Sequence, residues 1–401
     1  MPLKRSFINK RVFSQSLLAL MFNIGGLVSG RLAVILAPVF TASPWILALF
    51  PLVLTVRGGT SGILSGKIGT MLHTGELKPQ FRGNTRALGI LIKATFVVTF
   101  SATLGMGFLA FLIQLIFRQV SFQTLSIFVV LPVLTSTISV LIAIPLTLFV
   151  AIKTYQSGID PDILVYPIMS TTNDLIVSII YLLLVTLILT SSSFVLLYGA
   201  IIILLALIMM YIIINMYRNL LFSKTLKEGV FIILISSSFG ITNGVILTSY
   251  RTEIKQIPSV LVLYPALIAT LGDIGSILGS METTKLALGY ISSFTHVLRD
   301  VFVDLISIET AAFIVHTIFA FVTLGIGWIS QIPGDLLQLV QIAVLSNLFS
   351  FFFISFVSLI TATQTFRYGL DPNNFVIPLT SPLSDTISTL VLLAVLSLTI
   401  F

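Results

Sequence analysis

The stretches "GIDPDILVYPIMSTTND" (158–174) and "GLDPNNFVIPLTSPLSD" (369–385) align without a gap. Each opens Gly-x-Asp-Pro, pairing Asp160 with Asp371 and Pro161 with Pro372. Each keeps a second proline, Pro167 against Pro378, and ends on an aspartate that leads into an apolar run: Asp174 into "LIVSIIYLLL", Asp385 into "TISTLVLLAV". A second block agrees: "PLVLTVRGGTSGILSGKIGTMLHTGEL" (51–77) lies over "PALIATLGDIGSILGSMETTKLALGYI" (265–291), pairing Pro51 with Pro265, Gly58 with Gly272 and Gly75 with Gly289. The same shift pairs Gly26 and Gly30 with Gly240 and Gly244. Several blocks in one order and at one spacing mean internal duplication.

The 401 residues are 57% hydrophobic and only 9% charged, with mean hydropathy +1.12. Soluble domains carry roughly a quarter charged residues, and the apolar runs here have the ~20-residue length that spans a bilayer. The chain is therefore expected to be a polytopic membrane protein, all-α, without a large soluble domain. It has no cysteine, which excludes disulfides, thiolate metal sites and thiol nucleophiles. The basic start "MPLKRSFINKRVFSQ" precedes a long run without a small-residue cleavage motif, so it reads as the approach to an uncleaved first span.

Eleven spans are expected, near 17–40, 45–74, 88–117, 125–152, 164–190, 194–217, 230–250, 258–286, 303–329, 336–363 and 374–400. With the N-terminus inside, most Lys and Arg fall on cytoplasmic segments, among them Lys4, Arg5, Lys78, Lys153, Arg218, Lys224 and Arg367. Only Arg118, Arg251 and Lys255 lie outside. That asymmetry places the N-terminus in the cytoplasm and the C-terminus outside. Each copy holds five spans. The extra run "SFVLLYGAIIILLALIMMYIIINMY" (193–217) is apolar on every face, as a lipid-facing connector would be. Five spans plus one is even, so the second copy starts on the same side as the first. The expected architecture is two parallel five-helix repeats, 1–190 and 230–401, joined through 191–229 by a connecting transmembrane helix. A pseudo-two-fold axis runs along the membrane normal.

In the fifth span of each copy, residues four apart share a face. Ser170, Asp174 and Ser178 form one polar stripe; Ser381, Asp385 and Thr389 form the other. Asn173 and Ser384, beside the aspartates, belong to the same pore wall. An aspartate at the centre of a lipid-embedded helix costs about 2.5–3.5 kcal/mol, so both must face protein or water. Two carboxylates ~7 Å apart repel by about 2 kcal/mol at an effective dielectric of ~20, and a cation between them relieves this. The bland alternative is a helix-to-helix hydrogen bond from a protonated aspartate. Carboxylate and hydroxyl oxygens suit hard cations, and His73, His296 and His316 show no ligand spacing. The second spans, rich in glycine and hydroxyls, read as broken helices that expose backbone to an ion path, with Gly58, Gly59, Thr60, Gly272 and Asp273 as pore-lining candidates. Close packing through small residues is the competing account, and it is the preferred one for Gly26 and Gly30 and for Gly240 and Gly244. Arg31 and Arg57 are expected to snorkel or to pair with a carboxylate. Lys67 is a further basic residue at membrane depth. Asp160 and Asp371 are expected to shape turns, with lining of a pore vestibule as the alternative. Glu309 and His316, without counterparts, are weak candidates.

Five spans per copy, Pro-x6-Gly-Gly in the second and Asp-Pro-x5-Pro-x6-Asp leading into the fifth resemble the membrane domain of MgtE magnesium channels. The fused pair is similar to the solute-carrier family 41 magnesium transporters. The resemblance implies a pore on the two-fold axis, lined by the second and fifth spans, with a central Mg2+ held by the fifth-span aspartates, here Asp174 and Asp385. It implies a pseudo-dimer within one chain, so a monomer would suffice. The family's Gly-Gly-Asn stands here as Gly58-Gly59-Thr60 and Gly272-Asp273-Ile274, without the asparagine. No stretch is polar enough to fold as the family's acidic cytoplasmic or paired CBS domains.

The expected function is transport of a divalent cation, Mg2+ foremost, across the cell membrane, with Na+ or H+ as coupling ions if transport is coupled. The alternative is a sodium- or proton-coupled secondary transporter of another small substrate, which would be expected to show inverted repeats. A lipid phosphotransferase would need clustered acids with basic phosphate contacts near one membrane face. Asp174 and Asp385 lack that company, so the chain is not read as an enzyme. A scaffold subunit would show no cation-dependent stabilisation.

Overall fold

A computed structural model describes residues 8–27, 44–116, 121–190, 193–249, 258–290 and 294–400. Among them are eleven α-helices: α1 (Lys10–Met21), α2 (Pro44–His73), α3 (Arg86–Ile116), α4 (Leu125–Gln156), α5 (Pro161–Thr190), α6 (Ser193–Met216), α7 (Leu220–Ser249), α8 (Pro258–Ala287), α9 (Phe294–Ser330), α10 (Leu336–Arg367) and α11 (Pro372–Ile400). Eight of them, α3–α6 and α8–α11, are long and apolar enough to cross a membrane. In lipid a helix satisfies its own backbone groups, and buried hydroxyls follow suit by bonding one turn back. Thr95, Thr99 and Thr103 donate to the carbonyls of Leu91, Thr95 and Thr99. Gly30, Arg31, Arg118, Arg251 and Lys255 lie outside the described residues, as do the surroundings of Gly244 and of His296.

The repeated Gly-x-Asp-Pro is a helix stop followed at once by a helix start. Gly158 and Gly369 take φ of 72° and 71°, the left-handed conformation that glycine adopts without a Cβ penalty. Ile159 N–H and Leu370 N–H then bond back to the Thr154 and Thr365 carbonyls at 3.1 and 3.0 Å. Asp160 and Asp371 cap the next helices, accepting from Asp162 N and Asn373 N, each at 3.0 Å. Proline occupies the first helical position, where its missing N–H costs nothing.

The repeats run parallel. Near the C-terminal ends of α2 and α8, Thr70 Oγ1 meets Thr284 Oγ1 at 3.2 Å. The N-terminal ends of α5 and α11 come to the same place, Asp162 against Gly69 and Asn373 against Gly66. Helices α2, α5, α8 and α11 form the centre. The first helix of each copy crosses to the other: α1 packs on α9, and α7 packs on α3. Gly26 fits against Ala266 of α8, and Gly240 against Thr55 of α2, which supports the packing reading of both. The connector α6 lies at the edge on α3 and α4, with Ile203, Tyr211 and Ile214 exposed on what would be the lipid face.

Two expectations are corrected. The second spans are unbroken: α2 runs 30 residues through Gly58-Gly59, and α8 runs 30 through Gly272. Their glycines give room to neighbours instead. Gly62 touches Ile377, Gly279 touches Val376, and a Cβ on Gly59 would stand 2.8 Å from Ile233 Cγ1. The interruption falls in the first span, where α1 ends at Met21 and a turn at Phe22-Asn23 precedes a further helical stretch, 24–27. The seventh and ninth spans also begin about ten residues earlier than expected, at Leu220 and Phe294.

Candidate functional site

Helices α2, α5, α8 and α11, with part of α7, enclose a cavity of 480 Å³. Its charged wall residues are Arg57, Asp174, Asp273 and Asp385, one from each central helix. If all are ionised, three carboxylates face one guanidinium.

The two fifth-span aspartates are not equivalent. Arg57 donates through Nη2 to Asp174 Oδ1, and the side chains are 7% and 41% exposed. The position matching Arg57 in the second repeat is Leu271, and no Lys or Arg of the described residues pairs with Asp385. The Asp385 carboxylate has no hydrogen-bond or ion-pair partner among the described residues, and its Oδ1 lies 3.8 Å from where a Cβ on Gly272 would stand. A Cβ at that glycine would stand in ordinary van der Waals contact with the carboxylate. Asp273, one residue on, is buried. It accepts from Asn23 Nδ2 at 2.7 Å and from Ser170 Oγ at 3.3 Å. Asn23 is held in turn by Thr171 Oγ1 at 2.9 Å. The cavity acids without an ion-pair partner among the described residues are thus Asp273 and Asp385, both from the second repeat. Of the two expected ligands, Asp174 carries an ion pair and, among the described residues, Asp385 does not.

Of the candidates read from sequence, Gly58, Ser170, Asp174, Ser178, Gly272, Asp273, Ser381 and Asp385 line the cavity. Asn173, Ser384, Gly59, Thr60 and Thr389 do not. Asn173 donates to Ser61 Oγ at 3.0 Å, Ser384 faces Gly275, and Thr60 donates to the Arg57 carbonyl at 3.1 Å. Thr389 shares a 2.7 Å hydrogen bond with Tyr264. Asn173, Ser384 and Gly59 each neighbour a cavity residue in sequence, and a step of one residue rotates a side chain away from the shared i, i+4 face into a helix–helix seam, while Thr389, one turn past Asp385, lies beyond the cavity. Tyr166 and Asn23 went unnoticed. Tyr166 lines the cavity and donates to Ser381 Oγ at 3.3 Å. Their counterparts are Ile377 and Ser237, so a search for repeated positions passes over both.

From Tyr166 and Ser381 the cavity extends toward Phe50 and Leu182, away from the Gly-x-Asp-Pro turns. In the other direction the bundle is shut. Gly62 packs on Ile377, Gly66 approaches Asn373 Oδ1 at 3.0 Å, and Gly69 packs on Asp162. Lys67 donates to Asp371 Oδ2.

No curated protein matches the chain. The family model described as "MgtE: Divalent cation transporter" matches residues 50–185 and 264–395, the two segments that carry the central helices and all four charged residues of the cavity. The matched segments cover most of the chain, which belongs to the MgtE divalent cation transporter family.

Proposed function

We propose that the chain transports Mg2+ along the pseudo-two-fold axis and that Asp385 and Asp273 hold the ion in the central cavity. The observation that carries this reading is a pair of carboxylates without an ion-pair partner among the described residues, in a space able to take a hydrated ion. A sphere of 480 Å³ has a radius of about 5 Å. Magnesium with its first water shell needs about 3.5 Å, from a ~2.1 Å Mg–O distance and a ~1.4 Å water radius. The polar wall offers hydroxyl, amide and carboxylate oxygens and no histidine or methionine, a donor set for a hard, incompletely dehydrated cation rather than a soft one.

Arg57 cancels Asp174, so the fifth-span acid of the first repeat shapes the field without being a ligand. With the basic loops in the cytoplasm, the cavity lies in the outer half of the bilayer and the glycine seams close its inner half. Passage needs α2 to part from α11 at Gly62 and Gly66. The test is Mg2+ flux into proteoliposomes. Asp385→Asn and Asp273→Asn should each abolish most of the flux while the protein still folds. Wild-type flux from the double variant would overturn the assignment.

A further inference from the structure

The turn before α5 and its copy before α11 are built alike up to the capping aspartate and differ in what meets it. In the second repeat Asp371 Oδ1 caps the helix, while Oδ2 accepts from the buried Lys67 ammonium. The counterpart of Lys67 is Met281, and no Lys among the described residues pairs with Asp160. The first repeat instead adds an imidazole and a second carboxylate. His73 Nε2 lies 3.1 Å from Asp160 Oδ1 and 3.7 Å from Asp162 Oδ2. Asp162 stands where the second repeat has the neutral Asn373. Its side chain is 2% exposed, and its Oδ1 has no hydrogen-bond partner among the described residues. One ligand atom from each of the three residues lies within 4.8 Å of the other two.

Two matched positions thus share one capping acid. At one, a tethered cation supplies the positive charge. At the other, two carboxylates, one of them buried, flank a nitrogen donor, and the nearby Arg11 guanidinium is turned to the Gly158 carbonyl. We propose that His73, Asp160 and Asp162 form a second metal site, outside the central cavity, that takes a divalent first-row transition-metal ion such as Mn2+, Co2+ or Zn2+ in preference to Mg2+. The imidazole sets that preference, because nitrogen ligands suit these ions and magnesium takes oxygen. His73 and Asp160 are each 24% exposed, which leaves room for water to complete the coordination. The ligands sit on the last turn of α2 and the first turn of α5, so a bound ion ties these helices together at the closed end of the bundle. This inference does not depend on which ion crosses the membrane.

The test uses the purified full-length chain in detergent, titrated with Co2+ in excess Mg2+ and followed by the visible ligand-field bands of cobalt. Wild type should show one saturable Co2+ site with nitrogen-ligand bands. His73→Gln and Asp162→Asn should each weaken it by at least ~10-fold, and Asp273→Asn with Asp385→Asn should leave it unchanged. Met281→Lys, which imitates the arrangement already tolerated at Lys67, should displace the ion without touching a ligand. A Co2+ site that survives His73→Gln at full affinity, one that Mg2+ empties on equal terms, or the absence of any Co2+ binding would each overturn the proposal.

Discussion

Replacing Arg57 with leucine, the residue its repeat partner Leu271 already is, should make the central cavity bind Mg2+ too well. In the wild type a cation at the cavity centre lies about 5–6 Å from the wall, by the ~5 Å radius of a 480 Å³ sphere. At an effective dielectric of about 40, between the ~20 of near-surface pairs and the ~80 of water, one wall charge acts on a divalent ion with about 3 kcal/mol. The Arg57 repulsion and the Asp174 attraction nearly cancel while the two are paired. Arg57→Leu removes only the repulsion, so Mg2+ should bind about 100-fold more tightly, and flux should fall as release slows. The stability cost should stay below the roughly 3–5 kcal/mol of breaking a fully buried pair, because Asp174 is 41% exposed and cavity water can solvate it. Isothermal titration with Mg2+ reads the affinity, and the double variant Arg57→Leu, Asp174→Asn restores the wild-type charge. Unchanged affinity in the single variant, or a double variant as tight as the single, would refute the electrostatic reasoning.

Asn23→Leu removes the 2.7 Å donor to Asp273, a hydrogen bond to a charged group of about 1.5–3 kcal/mol. The thermal midpoint should fall, and added Mg2+ should recover part of the loss by binding the folded form. Gly62→Val forces a branched side chain onto Ile377 and should cost about 1–3 kcal/mol by overpacking, read as a lowered midpoint with reduced flux. Gly89→Ala, in α3 with nothing within 4 Å of the added Cβ, should instead raise the midpoint through up to about 1 kcal/mol of helix propensity.

The quoted repeat was legible because its residues act locally. A left-handed glycine, a capping aspartate and a first-turn proline each do their work within a few residues, so sequence spacing carries the structure. The connector was legible because one all-apolar run can only face lipid. What escaped were properties of pairs distant in sequence. Glycine-rich α2 and α8 read equally as broken or as closely packed, and the choice falls to Ile377 on α11 and Val376 beside it, which no window around Gly62 or Gly279 contains. Arg57 was visible as a charge in an apolar run, yet its choice of Asp174 depends on two helices more than a hundred residues apart in the chain. His73 has no ligand spacing because its partners, Asp160 and Asp162, arrive from α5. Matching positions suggest matching roles for Asp174 and Asp385, while the residues that set their surroundings apart, Arg57, Tyr166 and Asn23, are ones the repeats do not share.

Fusing the copies allows this divergence. In two identical subunits Arg57 would face both fifth-span acids alike and Lys67 both capping acids alike. Here the second helix of the first repeat, α2, carries both tethered cations, and the matching α8 carries Leu271 and Met281 in their places with the acids Asp273 and Glu282 added. Lys67 is the sharper test of the division, because it crosses between repeats to reach Asp371. Lys67→Met makes α2 resemble α8 at this level. Asp371 is 26% exposed, keeps its capping bond from Asn373 N, and keeps its own N–H bonded to Glu228 Oε2 at 3.1 Å. It can therefore take up water, and the stability loss should be roughly 1–3 kcal/mol. Losing the ammonium also removes a positive charge from the seam between α2 and α11 that lies on the proposed path. At fixed Mg2+ gradient the folded variant should conduct faster than wild type, while central-site affinity, set by groups farther along the cavity, stays unchanged. A variant with weakened Mg2+ binding, or with folding intact and flux slower than wild type, would show that Lys67 supports the path rather than closing it.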